Sequence, residues 1–370
     1  MKLLRVRAIA VKEGRQILRD PFSLAMAFFL PAFLLFIFGY AITLDVDNLT
    51  TVVRDLDRSA ASRELVAGFR ESGYFTIVAD VLDEEEIDRH LDSGKARVAV
   101  SIPEDFSEDL RRGRPPTLQV IVDGSDSNTA TIALGYVEAA TRRFALRAAG
   151  GAAREPLIDV RGRSWYNPEL ESRNYIIPGL IAVIMAVIAA VLTSLTVARE
   201  WERGTMEQLI STPVRKAELI AGKLIPYFVI GFADMVLSVL MGTLLFGVPL
   251  RGSPFLLMAL SSVFLFGGLS LGILISIVAR NQLVASQVAM VATFLPAFLL
   301  SGFLFAISNM PKAIQLLTYL IPARYFVAML KSVFLKGGTL RLLALETLLL
   351  AAFGAAVFAL ANRKFKKKVA

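Results

Sequence analysis

The stretch that decides the fold is residues 175–198, YIIPGLIAVIMAVIAAVLTSLTVA, which contains no charged side chain. An α-helix rises 1.5 Å per residue, so about 20 apolar residues cross the roughly 30 Å hydrocarbon core of a bilayer. Five further stretches have comparable length and apolar character: residues 21–44, 223–251, 251–280, 281–311 and 342–360. The sequence therefore predicts an α-helical polytopic membrane protein with six transmembrane helices.

The composition of the whole chain agrees with this interpretation. Of its 370 residues, 55% are hydrophobic and 19% are charged, with a mean hydropathy of +0.59, whereas soluble proteins are roughly 45–50% apolar and about 25% charged. The absence of cysteine excludes disulfides and thiolate metal sites, and the single histidine, His90, leaves little basis for histidine-based metal or triad chemistry. We therefore expect no covalent chemistry, cofactor or metal on this chain.

The distribution of positive charge predicts how the chain is oriented. Residues 45–174 carry 17 Lys and Arg against 24 Asp and Glu, a net charge of −7, whereas the remainder carries 23 against 8, a net charge of +15. Because the positive excess flanks apolar stretches, it indicates membrane orientation rather than nucleic-acid binding. Short cytoplasmic loops are enriched in Lys and Arg, so both termini are predicted to be cytoplasmic, with residues 45–174 facing outward. A cleaved signal peptide fits the first span poorly.

Residues 45–174 are typical of a folded domain, here an extracytoplasmic mixed α/β domain inserted between the first two spans. Strand-like runs at 51–54, 74–78, 97–102 and 118–122 alternate with helical patterns at 60–72, 84–93, 105–112 and 129–149. The alternation within residues 97–102 predicts a strand that is buried on one face only. Residues 175–370 hold the other five spans, and within them residues 311–336 predict paired short helices that lie at the outer surface or dip back into it.

The cytoplasmic loop of residues 199–223 is the most informative part of the chain. A continuous helix over residues 199–213 would carry one apolar stripe: Trp201, Thr205, Met206, Leu209 and Ile210. Its polar flank would carry Glu200, Arg203 and Glu207, and Thr212-Pro213 would end it. Such a helix could rest on lipid headgroups, but lipid-surface helices favour Lys and Arg, so the acidic residues fit a protein partner better.

Residues 1–20 predict a cytoplasmic amphipathic helix. Its apolar face would consist of Leu4, Ala8, Val11 and Leu18. On another face, a basic residue recurs every seven positions: Arg5, Lys12 and Arg19. The pattern fits a docking helix and an ordinary positively charged flank of the first span equally well.

Two ionisable residues, Asp234 and Glu346, lie inside predicted spans. A carboxylate at the centre of a bilayer costs at least about 2.5–3.5 kcal/mol, so each is expected to face protein or water rather than lipid. They are candidates for a transport path or a cation site. Packing contacts satisfied by neighbouring hydroxyls are the alternative, more so for Glu346, which lies close to the end of its span.

Motifs along the chain together resemble a known family. The most specific is AREWERGTME at residues 198–207, followed by Thr212-Pro213 and Gly222-Lys223. Shorter motifs accompany it: KE at 12–13, RDP at 19–21, DLDRS at 55–59, VDGS at 122–125, YNPE at 166–169, IPG at 177–179 and YLIPARYF at 319–326. With these the chain resembles the permease subunits of ABC-2 type exporters over essentially its whole length, and in particular the multidrug-exporter-like subgroup with a large outward domain.

That resemblance implies a second permease subunit, identical or different, and a dimer of a separate ATPase at the bacterial inner membrane, with an extracytoplasmic adaptor left open. It also implies a set of residues that couple the permease to the ATPase: Glu200, Trp201, Arg203, Gly204, Glu207, Thr212, Pro213, Arg5, Lys12 and Arg19.

The chain lacks a phosphate-binding loop of the type that ATPases need. Around Gly222-Lys223, Ala217 stands where a Walker A motif has its first Gly, and Leu224 stands where it has Ser or Thr. ATP and Mg²⁺ are therefore expected on the partner chain.

Two other function classes stay open at the level of sequence. One is an ion-coupled secondary transporter that uses Asp234 and Glu346, although the chain shows no inverted repeat. The other is a membrane-anchored receptor with an outward ligand-binding domain, for which five additional spans are more than an anchor requires. Substrate identity cannot be read from the apolar spans, because such residues face lipid in any membrane protein.

Overall fold

A computed structural model describes residues 2–41, 48–125, 127–148 and 171–365. The YNPE motif at residues 166–169 and the basic tail at 366–368 lie outside the described residues. The chain divides into two compact units, one of Met1–Thr43 with Ser164–Ala370 and one of Leu44–Arg163. Each unit has its own hydrophobic core.

The described residues form α-helices and β-strands, with π-helical turns at Ala25–Phe29, Met241–Leu245 and Ser332–Lys336. The α-helices are α1 (Leu3–Leu18), α2 (Pro21–Leu24), α3 (Leu30–Ala41), α4 (Ala60–Glu71), α5 (Glu84–Asp92), α6 (Phe106–Arg111), α7 (Ser127–Ala148), α8 (Ser172–Glu202), α9 (Thr205–Ser211), α10 (Lys216–Leu240), α11 (Pro254–Ala279), α12 (Gln282–Leu300), α13 (Lys312–Thr318), α14 (Pro322–Lys331) and α15 (Ala344–Lys364). The strands are β1 (Leu49–Asp55), β2 (Phe75–Asp80), β3 (Val98–Ile102) and β4 (Gln119–Val122).

The smaller unit is a mixed α/β fold. Its sheet has the strand order β2-β1-β3-β4, in which β1 pairs parallel with β2 and β3, and β4 pairs antiparallel with β3. Helices α4, α6 and α7 pack on one face, and α5 packs on the other. The strands and helices predicted in this region are all present, with bounds that differ by a few residues at most.

The expectation that residues 97–102 form a strand buried on one face is wrong. All five residues of β3 are buried, because the strand lies between β1 and β4 and carries packed helices on both faces. Val98, Val100 and Ile102 belong to the larger core, whereas Ala99 belongs to the core under α5. The residues on that second face are small, which produces an apparent alternation of polarity without exposure.

The larger unit contains the candidate membrane helices. Within the described residues, five are long and apolar enough to cross a bilayer: α8, α10 with its π-helical continuation to Leu245, α11, α12 and α15. The bent pair α13 and Pro322–Lys336, with an angle of 84°, would make a sixth if it is one span. The predicted first span corresponds to a helical run from Pro21 to Ala41 whose apolar part, Ala25–Ala41, is shorter. The chain is thus a multi-pass helical membrane protein.

Helix α8 lies at the centre of this unit, since nearly all of its apolar stretch is buried. Glycines of α11 allow close approach: a Cβ atom at Gly272 would overlap Thr193 and the carbonyl of Ala190. Thr193 Oγ1 donates a hydrogen bond to the carbonyl oxygen of Leu269 at 2.9 Å, so that a polar contact joins the two apolar helices. Small residues at such a crossing let backbones pack closely, as in other membrane bundles.

Candidate functional site

The predicted helix over residues 199–213 is broken in the structure. Helix α8 ends at Glu202, and Gly204 follows in the left-handed conformation with φ +68° before α9 begins. The prediction of one continuous helix is therefore wrong, because a left-handed residue cannot continue a right-handed helix. The predicted end at Thr212-Pro213 is present, since Thr212 adopts an extended conformation after α9.

The apolar residues around this break face the interior of the unit. Met206 is fully buried, and Leu209 packs against the same core. Trp201 is half-buried, and the guanidinium carbon of Arg280 lies 4.8 Å from the centre of its ring. The side chain of Ile210 is not among those described. The break thus places Met206 and Leu209 of α9 on the core, whereas Glu207 and Gln208 are exposed.

Glu200 does not lie on an exposed polar flank, as the helical pattern predicted. Glu200 is only 4% exposed. Its Oε1 accepts one hydrogen bond from Lys12 Nζ and another, at 3.3 Å, from Lys223 Nζ. The other oxygen accepts from the hydroxyl of Thr205 at the start of α9. Glu200 is buried because α10 packs on α8 and α1 packs on α10, which brings Lys223 and Lys12 to its carboxylate.

Lys223 and Glu13 complete a buried charge cluster with Glu200 and Lys12. Lys223 is 1% exposed, and its Nζ lies 2.7 Å from Glu13 Oε1. Two cations and two carboxylates balance each other, which offsets the several kcal/mol that each buried ion would otherwise cost in desolvation. The coupling cluster, as we call these four residues, joins α1, α8 and α10.

Lys12 lies at the rim of the coupling cluster. Partial burial opposes its charge, but the hydrogen bond to Glu200 and the nearby carboxylate of Glu13 outweigh it and raise the pKa of Lys12 above its usual value. A lysine with a raised pKa stays cationic throughout the physiological pH range. Lys12 therefore supplies its positive charge to the coupling cluster at any pH near neutrality.

The sequence pattern does not identify Glu13 and Lys223 as site residues. The apolar face that it identifies on α1 is exposed in the structure, with Leu4 at 80% and Leu18 at 72%. The buried face instead carries Val6, Glu13 and Ile17. One signal was available, because a glutamate seven residues after Val6 and four before Ile17 shares their face and would need a buried partner.

Helix α1 is held directly on α10 by close backbone approach and by polar contacts. A Cβ atom added at Gly222 would lie 2.7 Å from Ile9 Cβ and 3.1 Å from the carbonyl oxygen of Val6. Arg5 donates a hydrogen bond to the carbonyl oxygen of Pro213, and its guanidinium lies 3.7 Å from the buried carboxylate of Glu218. These contacts make α1 an integral part of the fold rather than a free flank.

The predicted coupling residues therefore fall into two groups. Residues held in internal contacts are Arg5, Lys12, Glu200, Trp201 and Thr212. Residues exposed at the surface are Arg19, Arg203, Gly204, Glu207 and Pro213. Of the exposed group, Arg203 and Gly204 lie between α8 and α9, and Glu207 lies in the first turn of α9. We call these three residues the exposed turn.

The two carboxylates predicted inside spans lie on different helices. Asp234 in α10 is fully buried, and neither carboxylate oxygen has a hydrogen-bond partner among the described residues. Glu346 is half-buried in the first turn of α15, where the helix dipole favours negative charge. Across the described parts of the chain, no group of three His, Asp or Glu side chains could hold a metal ion.

Comparison with known proteins assigns this arrangement to a family. The family model described as ABC-2 family transporter protein matches residues 21–362, which include α8, the break at Gly204 and α10. This chain belongs to the ABC-2 transporter family. The resemblance that the motifs indicated is thereby confirmed.

Relatives of this ABC-2 protein cover nearly its full length. The probable multidrug ABC transporter permease YbhS of Escherichia coli K12 is 45% identical over 369 residues, covering 99% of this chain and 97% of YbhS. The probable multidrug ABC transporter permease YbhR of the same strain is 31% identical, covering 97% of this chain and 99% of YbhR. The linearmycin resistance permease protein LnrN of Bacillus subtilis is 22% identical over 382 residues.

The ABC-2 chain is thus a permease subunit of an ABC transporter, and its ATPase is a separate chain. This confirms the predicted function class. The ion-coupled secondary transporter and the membrane-anchored receptor lose their basis, because the energy source of an ABC transporter is ATP hydrolysed by the partner subunit.

Proposed function

We propose that this permease pairs with a second permease subunit, identical or related, and with two copies of an ATPase to export amphipathic small molecules through a bacterial inner membrane. ATP and Mg²⁺ bind the ATPase, because this chain carries no Walker A motif. YbhS and YbhR are both named probable multidrug ABC transporter permeases, which supports small molecules as the class of substrate. An extracytoplasmic adaptor is a further partner that residues 45–174 could serve.

The proposed topology has six spans and two cytoplasmic termini. The spans are the run from Pro21 to Ala41 together with α8, α10, α11, α12 and α15, which leaves α13 and α14 as short helices at the outer surface. Residues 45–174 then lie on the extracytoplasmic side of the membrane. The excess of Lys and Arg in residues 1–20 and 199–223 supports this orientation.

The observation that carries the proposal is the position of the coupling cluster. It joins α1, α8 and α10, and its residue Glu200 accepts a hydrogen bond from Thr205, which directly follows Gly204 in the exposed turn. A force on that turn would reach two membrane helices at once, because buried ion pairs hold their ends together. ATP binding to the ATPase can shift the permease from one conformational state to the other only if the ATPase contacts this turn differently in the two states.

Within this scheme the predicted coupling residues have different roles. Gly204, Glu207 and Pro213 contact the ATPase, and Arg203 and Arg19 lie at the edge of that surface. The residues in internal contacts position that surface without touching the ATPase: Arg5, Lys12, Glu200, Trp201 and Thr212.

The candidate transport-path residues also have separate roles in the proposal. Asp234 contributes a polar group to the transport path. Its fully buried carboxylate has no described hydrogen-bond partner, and such a group is costly inside a membrane, which favours a functional role. Glu346 stabilises the start of α15 and lies at the end of the path.

The chain contains no cysteine, so single-cysteine variants report one position each. Glu207→Cys is expected to cross-link to the co-expressed ATPase and to react with a membrane-impermeant maleimide only after the cells are opened. Lys95→Cys, at an exposed position of the smaller unit, is the matched control and should react on intact cells without cross-linking. Labelling of Glu207→Cys on intact cells, or its failure to cross-link while the complex still purifies, would overturn the proposal.

Charge reversal tests the contact itself. Glu207→Lys is expected to lower the recovery of ATPase with the tagged permease and the resistance of cells to toxic amphipathic compounds. Glu85→Lys makes the same change at an exposed position of the smaller unit and should alter neither. Unchanged recovery and resistance in Glu207→Lys would remove this residue from the interface.

A further inference from the structure

A basic cavity of about 780 Å³ opens in the larger unit, beside the start of α2. Its charged lining consists of Lys12, Arg15, Arg19, Asp20, Arg199 and Arg203. Five of these side chains are cationic and only one is a carboxylate. The cavity is therefore built with a surplus of positive charge.

Internal contacts neutralise only part of this surplus. Arg199 pairs with Asp20 at 3.3 Å, and Lys12 belongs to the coupling cluster through Glu200. Arg15, Arg19 and Arg203 are exposed, and their guanidinium groups have no hydrogen-bond or ion-pair partner in the part of the chain that the structure describes. Three unpaired guanidinium groups around one cavity repel each other, so an anion bound between them would be favoured.

The position of the cavity indicates where that anion comes from. It lies where α2 begins, where α8 ends and where α12 begins at Gln282, and both α8 and α12 are candidate spans. The ends of membrane helices lie at the depth of lipid headgroups. Directly beyond Gln282, Leu283 and Val284 are exposed apolar side chains that can contact acyl chains.

We propose that this cavity binds the phosphate group of an anionic phospholipid, with the acyl chains along α12. Guanidinium groups match phosphate oxygens in geometry and form charge-assisted hydrogen bonds with them. Basic pockets between membrane helices on the cytoplasmic side are the type of site that anionic headgroups occupy. The assignment to the cytoplasmic leaflet rests on the proposed topology, whereas the binding itself does not.

The experiment measures lipid binding to the purified full chain in detergent by native mass spectrometry, without the ATPase. The probes are phosphatidylglycerol, phosphatidylcholine and glycerol 3-phosphate. Both lipids carry a phosphate, but the quaternary ammonium of phosphatidylcholine makes its headgroup net neutral and is repelled by the surplus positive charge of the cavity. The chain is therefore expected to bind phosphatidylglycerol at least about tenfold more tightly than phosphatidylcholine. Glycerol 3-phosphate should not compete at equal concentration. Competition at that level, or equal affinity for both lipids, would overturn the proposal.

Variants assign the preference to the cavity. The triple variant Arg15→Gln, Arg19→Gln, Arg203→Gln is expected to lose the tenfold preference. The control Arg7→Gln, Arg363→Gln, Lys364→Gln removes the same charge from exposed positions outside the cavity and should keep it. Preference that survives in the cavity variant, or that disappears equally in the control, would overturn the proposal.

Two further readouts separate lipid binding from misfolding and from docking of the ATPase. If the cavity variant does not fold, Arg203→Gln is compared with Arg203→Lys, which keeps the charge; weakened binding in the first and retained binding in the second is the expected result, and equal binding overturns the proposal. Capture of the ATPase is measured separately on wild type and variants. Lost capture with unchanged lipid preference would make the cavity a site for acidic residues of the ATPase and overturn lipid binding, whereas failed capture by the wild type would affect only the proposed function.

Discussion

Lys223 and Glu13 are separated by 210 residues in the chain, and they form a buried ion pair in which Nζ lies 2.7 Å from Oε1. The pair attaches α1 to α10 and, through Glu200, also to α8. Because an isolated charge is costly inside a protein, each residue of the pair needs a partner of opposite charge at this position. The amino-terminal helix is therefore fixed by chemistry at the ends of two candidate spans.

Loss of Lys223 should destabilise the permease strongly. Lys223→Met is expected to lower the free energy of unfolding by about 3–5 kcal/mol, because the buried carboxylates Glu13 and Glu200 would keep only Lys12 as a partner. The midpoint of unfolding in mixed detergent micelles measures this loss. The double variant Glu13→Gln, Lys223→Met is expected to recover about 1 kcal/mol or more, since it also removes an unpaired charge.

The control for this prediction is Lys216→Met at the start of the same helix. Lys216 has no ion-pair partner among the described residues, so the change should stay within about 0.5 kcal/mol. Equal losses in the two lysine variants would show that the buried pair contributes nothing specific.

The close approach of α1 to α10 predicts opposite outcomes at two glycines. Gly222→Ala is expected to cost about 1–3 kcal/mol, because its new Cβ would lie 2.7 Å from Ile9 Cβ and would displace α1. Gly14→Ala, in α1 itself, meets only Pro226 Cβ at 3.9 Å and should stabilise the helix by up to about 1 kcal/mol. Thermal unfolding of both variants measures the difference, and a Gly222→Ala variant as stable as wild type would contradict the helix contact.

The left-handed residue between α8 and α9 predicts a backbone requirement. Gly204→Ala is expected to cost about 1–2 kcal/mol, although its Cβ would meet no other atom, because alanine is strained at φ +68°. Gly204→Asn should lose less, since asparagine tolerates this conformation. Unfolding midpoints and ATPase recovery measured together check the prediction, and identical behaviour of the two variants would argue against the break.

Removal of the buried carboxylate of Asp234 in α10 is expected to lower transport without lowering stability. Asp234→Asn is expected to leave the free energy of unfolding unchanged or to raise it, because no described hydrogen bond is lost and an unpaired buried carboxylate is replaced by a neutral group. Export of toxic amphipathic compounds should fall, since the polar group proposed for the path loses its ability to carry charge. Normal export by a normally assembled Asp234→Asn complex would exclude the role in the path.

Local sequence pattern predicted most of the elements. The apolar stretch at residues 175–198 lies within α8, and the strand-like runs after residue 48 correspond to β1, β2, β3 and β4. Element type follows from periodicity and turn chemistry over about ten residues, so no distant contact is needed to predict it. The same argument failed for the exposure of β3, because burial of its second face depends on α5 and the neighbouring strand.

The candidate site was predicted by position but not by role. The sequence pattern identifies the loop around Trp201, Gly204 and Glu207. It also predicts a helix that continues through Gly204 with Glu200 on its exposed side, and the structure shows neither. Helical periodicity alone assumes that the helix continues and that polar residues face water. Neither assumption holds where a left-handed glycine ends the helix and a second helix covers the carboxylate.

By itself the sequence determined that this chain is a multi-pass membrane protein of the ABC-2 family, because long apolar runs and contiguous motifs are local properties. Only the tertiary structure decided which charges are structural and which are free. Glu13, Glu200 and Lys223 become internal because three distant segments meet and must balance charge away from water. Arg15, Arg19 and Arg203 carry the same kind of charge but line an open cavity, so they can bind an anion.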